Sequence, residues 1–159
     1  MKPNLGLSDA NREGVLRLLS TLLADEYLLY TKARNYHWNV GGPHFHDYHK
    51  FFETLYEEID KTVDEVAERI RTLGGRSPGT LAEFAKEARL EEEPGKQLDG
   101  GGMIGRLLAD HEALVRVLRE GVDACAEKFR DAGTADFLTG LMEKHEKTAW
   151  MLRAHLEER

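Results

Sequence analysis

Little in this 159-residue chain stabilises a fold by covalent means, since Cys125 is its single cysteine. That excludes an intrachain disulfide framework and fits a reducing compartment. Prolines number four, so few points interrupt a helix. No run approaches the ~20 consecutive apolar residues of a membrane span. The first residues, Met1 to Gly14, contain no apolar core of a signal peptide, and a cytoplasmic location is expected. Positive charge is also in deficit. Lys and Arg total 22 against 29 Asp and Glu, a formal net charge of −7. That disfavours generic binding of polyanions and suits a protein that gathers cations.

What is present is helical periodicity. A first helix is expected from near Ser8 to about Tyr36, with Val15, Leu18, Leu19, Leu22, Leu29 and Ala33 inward. Val40-Gly41-Gly42-Pro43 breaks it. A second helix is expected from about His44 to Leu73, ended by Gly74-Gly75. Its apolar residues, among them Phe45, Tyr48, Phe52, Tyr56, Val63 and Val66, define two faces rather than one. Thr80-Leu81-Ala82-Glu83 has the form of a capping box and predicts a short helix to about Ala88. Three glycines, 100 to 102, precede a third helix over about 103–130. Its predicted seam is Ile104, Leu108, His111, Val115, Leu118, Val122, Cys125 and Phe129. Thr134 is the expected cap of a fourth helix over about 135–157. No strand signal is convincing. The expected fold is all-α, a four-helix bundle with a small extra helix in the crossover between helices two and three. One domain over 1–159, with 1–7 a short N-terminal tail, suits the length.

An intrachain di-iron bundle of the ferritin type wants Glu-x-x-His on two helices. Here the residues three before each histidine are Arg34, Gly41, Pro43, His46, Leu108, Met142 and Leu152. None is Glu, so the bundle interior is expected to lack carboxylate–histidine pairs. His111 and His145 are then read as satisfied core residues. The second helix differs. His49 and Glu53 stand four apart, as do Asp64 and Glu68, so each pair shares a face. From His49 to Asp64 is 15 residues, roughly 22 Å of helix, whereas a metal ion needs its ligands ~2 Å away. Both pairs look out on broadly one side. A second copy of this helix, antiparallel about a two-fold axis near Tyr56 and Glu57, brings His49 of one chain opposite Asp64 of the other. His37, just before the break, folds over the same end. The outcome is two sites per pair of chains, each taking His37, His49 and Glu53 from one and Asp64 and Glu68 from its neighbour. Imidazole and carboxylate without thiolate suit iron(II) or another divalent first-row ion.

The stretch from Tyr36-His37-Trp38-Asn39 through His44-Phe45, then His49, Phe52-Glu53, Tyr56, Asp64 and Ala67-Glu68-Arg69-Ile70, resembles the Dps family of mini-ferritins. The spacings of 12, 15 and 4 between His37, His49, Asp64 and Glu68 match that family's ferroxidase motif. Gly133-Thr134-Ala135-Asp136 and Trp150 resemble its fourth helix. The resemblance implies a ferritin-like bundle, a hollow shell of twelve chains, and ferroxidase centres at its two-fold interfaces. His37, His49, Asp64 and Glu68 would be the catalytic ligands, with Glu53 a secondary metal ligand. It implies iron(II) and hydrogen peroxide as substrates, a stored ferric mineral, and protection against oxidative damage; zinc is able to occupy the site in place of iron. Twelve chains at −7 carry a formal −84. Glu57 and Glu58 are candidates to line the cavity. Asp136 corresponds to a pore aspartate or, in plainer terms, to a carboxylate at a helix N-terminus. Trp38 is either a quencher of stray oxidising equivalents or a packed interfacial aromatic. The rival reading is a DNA-binding, nucleoid-compacting protein with little ferroxidase activity. The first 12 residues hold only Lys2 and Arg12 as cations, so weak or absent DNA binding is expected at physiological salt.

Overall fold

The computed structural model describes residues 3–157. Lys2, Glu158 and Arg159 lie outside the described residues. Five α-helices follow in order: α1 (Asp9–Asn39), α2 (Phe45–Thr72), α3 (Leu81–Glu87), α4 (Gly100–Asp123) and α5 (Ala132–Ala154), with a π-helical turn at Ala124–Lys128. The architecture is the expected ferritin-like four-helix bundle. α1 pairs with α2 and α4 with α5, as two long hairpins, while α3 packs against α1 from the crossover. No strand occurs among the described residues.

Local chemistry sets the helix ends. The Ser8 hydroxyl accepts from the Asn11 amide and starts α1. The capping box at Thr80 and Glu83 is formed in both directions. α2 stops as a Schellman motif. The Gly74 amide bonds the Arg71 carbonyl, and the Gly75 amide reaches the Ile70 carbonyl. Gly74 takes φ +80°, a conformation that costs a glycine little.

Three boundaries, in α4 and α5, depart from the sequence reading. Glycines 100–102 do not precede α4 but form its first turn, because Asp99 caps the helix by accepting from the Gly102 amide. Tyr48 lies where a Gly100 Cβ would stand, so the small residue serves close packing as well. Thr134 is not the cap of α5. Asp131 holds that place, accepting from both the amide and the hydroxyl of Thr134. The fourth helix ends at Ala154, short of the expected 157.

The core gathers at the centre of the hairpins: Leu19, Leu22, Leu29, Phe52, Val66, Ile70, Ile104, Leu118 and Leu138 are fully or almost fully buried. Along α4 the buried seam is Ile104, Leu107, His111, Leu114, Leu118 and Gly121, continued by Cys125. Leu108, Val115 and Val122 lie one step to its side, half-buried. The crossover is fastened by a carboxylate that sequence periodicity did not single out. Asp25 is fully buried and accepts from the Arg89 and Leu90 amides and from the Arg89 guanidinium. Further along, Lys32 pairs with Asp110 at 2.6 Å and donates to the Glu91 carbonyl.

Candidate functional site

α1 and α2 meet near their shared turn, and there His37 and His49 stack. Their ring centroids lie 3.8 Å apart with planes 21° from parallel. Each Nδ1 bonds the backbone carbonyl of the other residue, His37 to His49 at 2.8 Å and His49 to His37 at 2.9 Å. A carbonyl only accepts, so each Nδ1 carries hydrogen. In the neutral ring Nε2 is then the nitrogen with a free lone pair, which is how a ligating imidazole is held in its tautomer. The α1–α2 turn produces this reciprocity, since it places residues 37 and 49 across one seam.

The rings are wedged from both sides. Phe45 stacks on His49 at 5.0 Å, and Tyr56 meets His37 edge-on at 5.3 Å. Behind them the Arg34 guanidinium lies 5.4 Å from the Tyr30 ring, 5.1 Å from Trp38 and 5.3 Å from Tyr56. It also donates to the Tyr30 hydroxyl. Sequence reading missed Arg34 and Tyr30 as neighbours of this site. Their signal was available, because residues 30, 34, 37 and 38 fall on one face of α1.

Glu53 follows His49 by one turn on α2. Its carboxyl sits below the usual range, first through the hydrogen bond from Lys50 and further through the Lys50 charge. The Lys50–Glu53 pair spans 2.6 Å and is partly exposed. Asp64 and Glu68 are exposed, farther along an α2 that runs without interruption from Phe45 to Thr72. Among the described residues no three His, Cys, Asp or Glu side chains are grouped to hold a metal ion. The structure brings His37 and His49 together at the α1–α2 turn, while Glu53, Asp64 and Glu68 follow along α2 without closing a metal site within the chain. Glu57 and Glu58 are exposed on α2, and Asp136 is exposed on α5 just beyond its first turn. Trp38 is 65% exposed, which leaves an indole beside the histidines open to another surface.

The bundle interior corrects one expectation. It does hold a carboxylate–histidine pair. Glu26, fully buried, lies 2.8 Å from His145 Nε2, and His145 Nδ1 lies 2.8 Å from His111 Nδ1. Search for Glu-x-x-His missed it because the carboxylate comes from α1, far away in sequence. His145 is satisfied by these partners, whereas His111 Nε2 has none.

A ferritin-like domain model matches residues 16–159. An uncharacterized low temperature-induced protein of Nostoc is 49% identical over 97% of this chain and 86% of its own length. DNA protection during starvation protein 2 of Bacillus anthracis is 37% identical over 91% of this chain and 97% of its own. Among solved structures, a Dps protein from Vibrio cholerae, described as a member of a broad superfamily of ferritin-like diiron-carboxylate proteins, superposes with a TM-score of 0.91. It is 30% identical and the match covers 99% of this chain and 98% of that one. No helix among the described residues is long and apolar enough to cross a membrane.

Proposed function

This chain belongs to the Dps family of ferritin-like proteins, and from that premise we propose that it oxidises iron(II) at sites shared between two chains and stores the ferric product inside a twelve-chain shell. The observation that carries the reading is the reciprocal bonding of His37 and His49. Two neutral imidazoles are fixed with Nε2 as the ligating nitrogen, on a seam where one chain offers a single carboxylate beside them. Asp64 and Glu68 of a two-fold neighbour supply the missing negative charge and are able to bridge two ions. Glu53, kept ionised by Lys50, is a secondary ligand or a base.

The chemistry is a two-electron reduction of hydrogen peroxide. Two iron(II) ions each give one electron, the O–O bond breaks, and two protons are taken up to form two waters. Pairing the electrons in this way avoids hydroxyl radical. Trp38, held against Arg34, stands where it would intercept stray oxidising equivalents. The ferric ions move inward to a cavity lined by Glu57 and Glu58. Asp136 belongs to an acidic entry pore. Zinc competes for the same ligands. Protection of nucleic acid follows from removing iron and peroxide; at net −7, little direct DNA binding is expected.

The test is iron uptake with peroxide. His49→Ala combined with Asp64→Ala removes one ligand from each half. It is expected to abolish fast oxidation while light scattering still shows an assembled shell. Unchanged kinetics would refute the assignment.

A further inference from the structure

Glu26 of α1, His111 of α4 and His145 of α5 are 0%, 2% and 4% exposed, and the iron chemistry above uses none of them. They form one chain across three helices. Glu26 Oε1 lies 2.8 Å from His145 Nε2, and His145 Nδ1 lies 2.8 Å from His111 Nδ1. Both ends are open, since Glu26 Oε2 and His111 Nε2 have no hydrogen-bond partner. The middle contact limits the protons the chain can hold. Two nitrogens 2.8 Å apart share a single hydrogen, so one Nδ1 donates and the other accepts. An imidazolium carries hydrogen on both nitrogens. The two rings can therefore hold one positive charge between them but not two, because two would set N–H against N–H and charge against charge. A hydrogen on His111 Nε2 also meets no acceptor in the core.

We propose that this chain is an acid-release latch: it ties the α4–α5 hairpin to α1 while at most one imidazole is charged, and lets go when both are. The proton has a route. A crevice of about 380 Å³ between α2 and α5 is lined in part by both histidines, so water brings protons to the pair. Its charged walls are Glu58, Lys61 and Glu65 on α2 and Lys144 and Lys147 on α5. Lys144 and Glu65 pair with each other at 2.8 Å, and among the described residues none of the five bonds either ring. The groups that face His111 at close range are His145 from α5 and, behind that ring, Glu26 from α1. His111 is held neutral: burial first, and then His145, push its pKa well below the ordinary 6.5. An unfolded chain charges each imidazole near that ordinary value, whereas the folded pair refuses one of the two protons. Stability is therefore full above about pH 6.5 and declines as pH falls below it, toward the lowered value of His111.

The readout is amide hydrogen exchange around residues 111 and 145 in the full-length, assembled protein, corrected for the intrinsic pH dependence of exchange. His111→Gln keeps a hydrogen-bonding side chain that never charges. From pH 7 to pH 5, protection in the wild type should fall roughly 25-fold further than in His111→Gln, the effect of one refused proton. Equal falls overturn the latch. A second measurement needs no variant. Neutron diffraction from wild-type crystals near pH 5 counts the hydrogens on the nitrogens of the two rings. Three or fewer are expected, with a single one between the Nδ1 atoms. Four in an intact bundle would overturn the proposal, whether or not His111→Gln folds.

Discussion

Each hairpin carries one histidine pair across its own seam, and the two pairs are built in opposite ways. In the α1–α2 hairpin, His37 and His49 stack and spend Nδ1 on each other's backbone carbonyls. In the α4–α5 hairpin, His111 and His145 turn Nδ1 toward each other, and a buried carboxylate holds the second ring. The first pair sits at the hairpin's turn among partly exposed aromatics; the second is sealed in the core. A backbone carbonyl fixes a tautomer without adding charge, so the first pair must find its counter-charge elsewhere, and Asp64 and Glu68 of a neighbour are proposed to provide it. The second has its carboxylate already. On that proposal the outward pair depends on assembly, while the inward pair takes its carboxylate from its own chain.

The sharpest way to break this comparison is to mix two dead variants. Assemble His49→Ala chains with Asp64→Ala chains in equal amounts. Half of the two-fold pairs are then mixed, and each mixed pair contains one site with both lesions and one with none. Roughly a quarter of the wild-type oxidation rate should return. Recovery of nothing would show that the ligands belong to one chain, and the contrast between the hairpins would collapse.

A smaller effect separates the adjacent acids Asp25 and Glu26. Both are fully buried on α1, but Asp25 serves the crossover and Glu26 the interior. Asp25→Ala leaves the Arg89 and Leu90 amides without their acceptor and should lower the unfolding free energy by about 2–4 kcal/mol. Hydrogen exchange should quicken at those two amides first. The Glu26–His145–His111 chain of contacts should persist, because Asp25 takes no part in it. Equal losses at both places would mean that the two acids act as one unit.

These two acids also mark where sequence reading stopped. Periodicity placed α1, α2 and α3 within a few residues, since long apolar repeats, a capping box and a Gly-Gly stop are local signals. The α4 seam was misread by one position: leucine and valine lie on both sides of the stripe, so Leu107, Leu114 and Gly121 were passed over for Leu108, Val115 and Val122. Asp131 was missed as a cap because Thr134, which it holds, is itself a good capping residue. At the site, the spacing of His37 and His49 was legible, but the exchange of Nδ1 bonds with carbonyls was not, because it depends on the path of the turn. The Glu26–His145 contact joins residues 119 apart and leaves no local trace.

The gentlest probe asks whether the hairpins open together. Cys125 sits in the π-helical turn at the end of α4, buried, and its thiol is pushed up to about 11, chiefly by burial and then by the charge of Asp131. The thiolate is the reactive form. Its value in the unfolded chain is near the ordinary 9.0, so labelling by iodoacetamide at pH 8 should run about 100-fold slower in the native protein. The sign for stability follows from the same pair of values. Below about pH 9 both states keep the proton; above it the unfolded chain loses the proton first, so stability declines as pH rises toward 11. If labelling in rising denaturant follows the global loss of helix, the hairpins unfold as one. If Cys125 reacts earlier, the α4–α5 hairpin opens alone, and the pair that looks self-sufficient would be the one that most needs α1 to hold it.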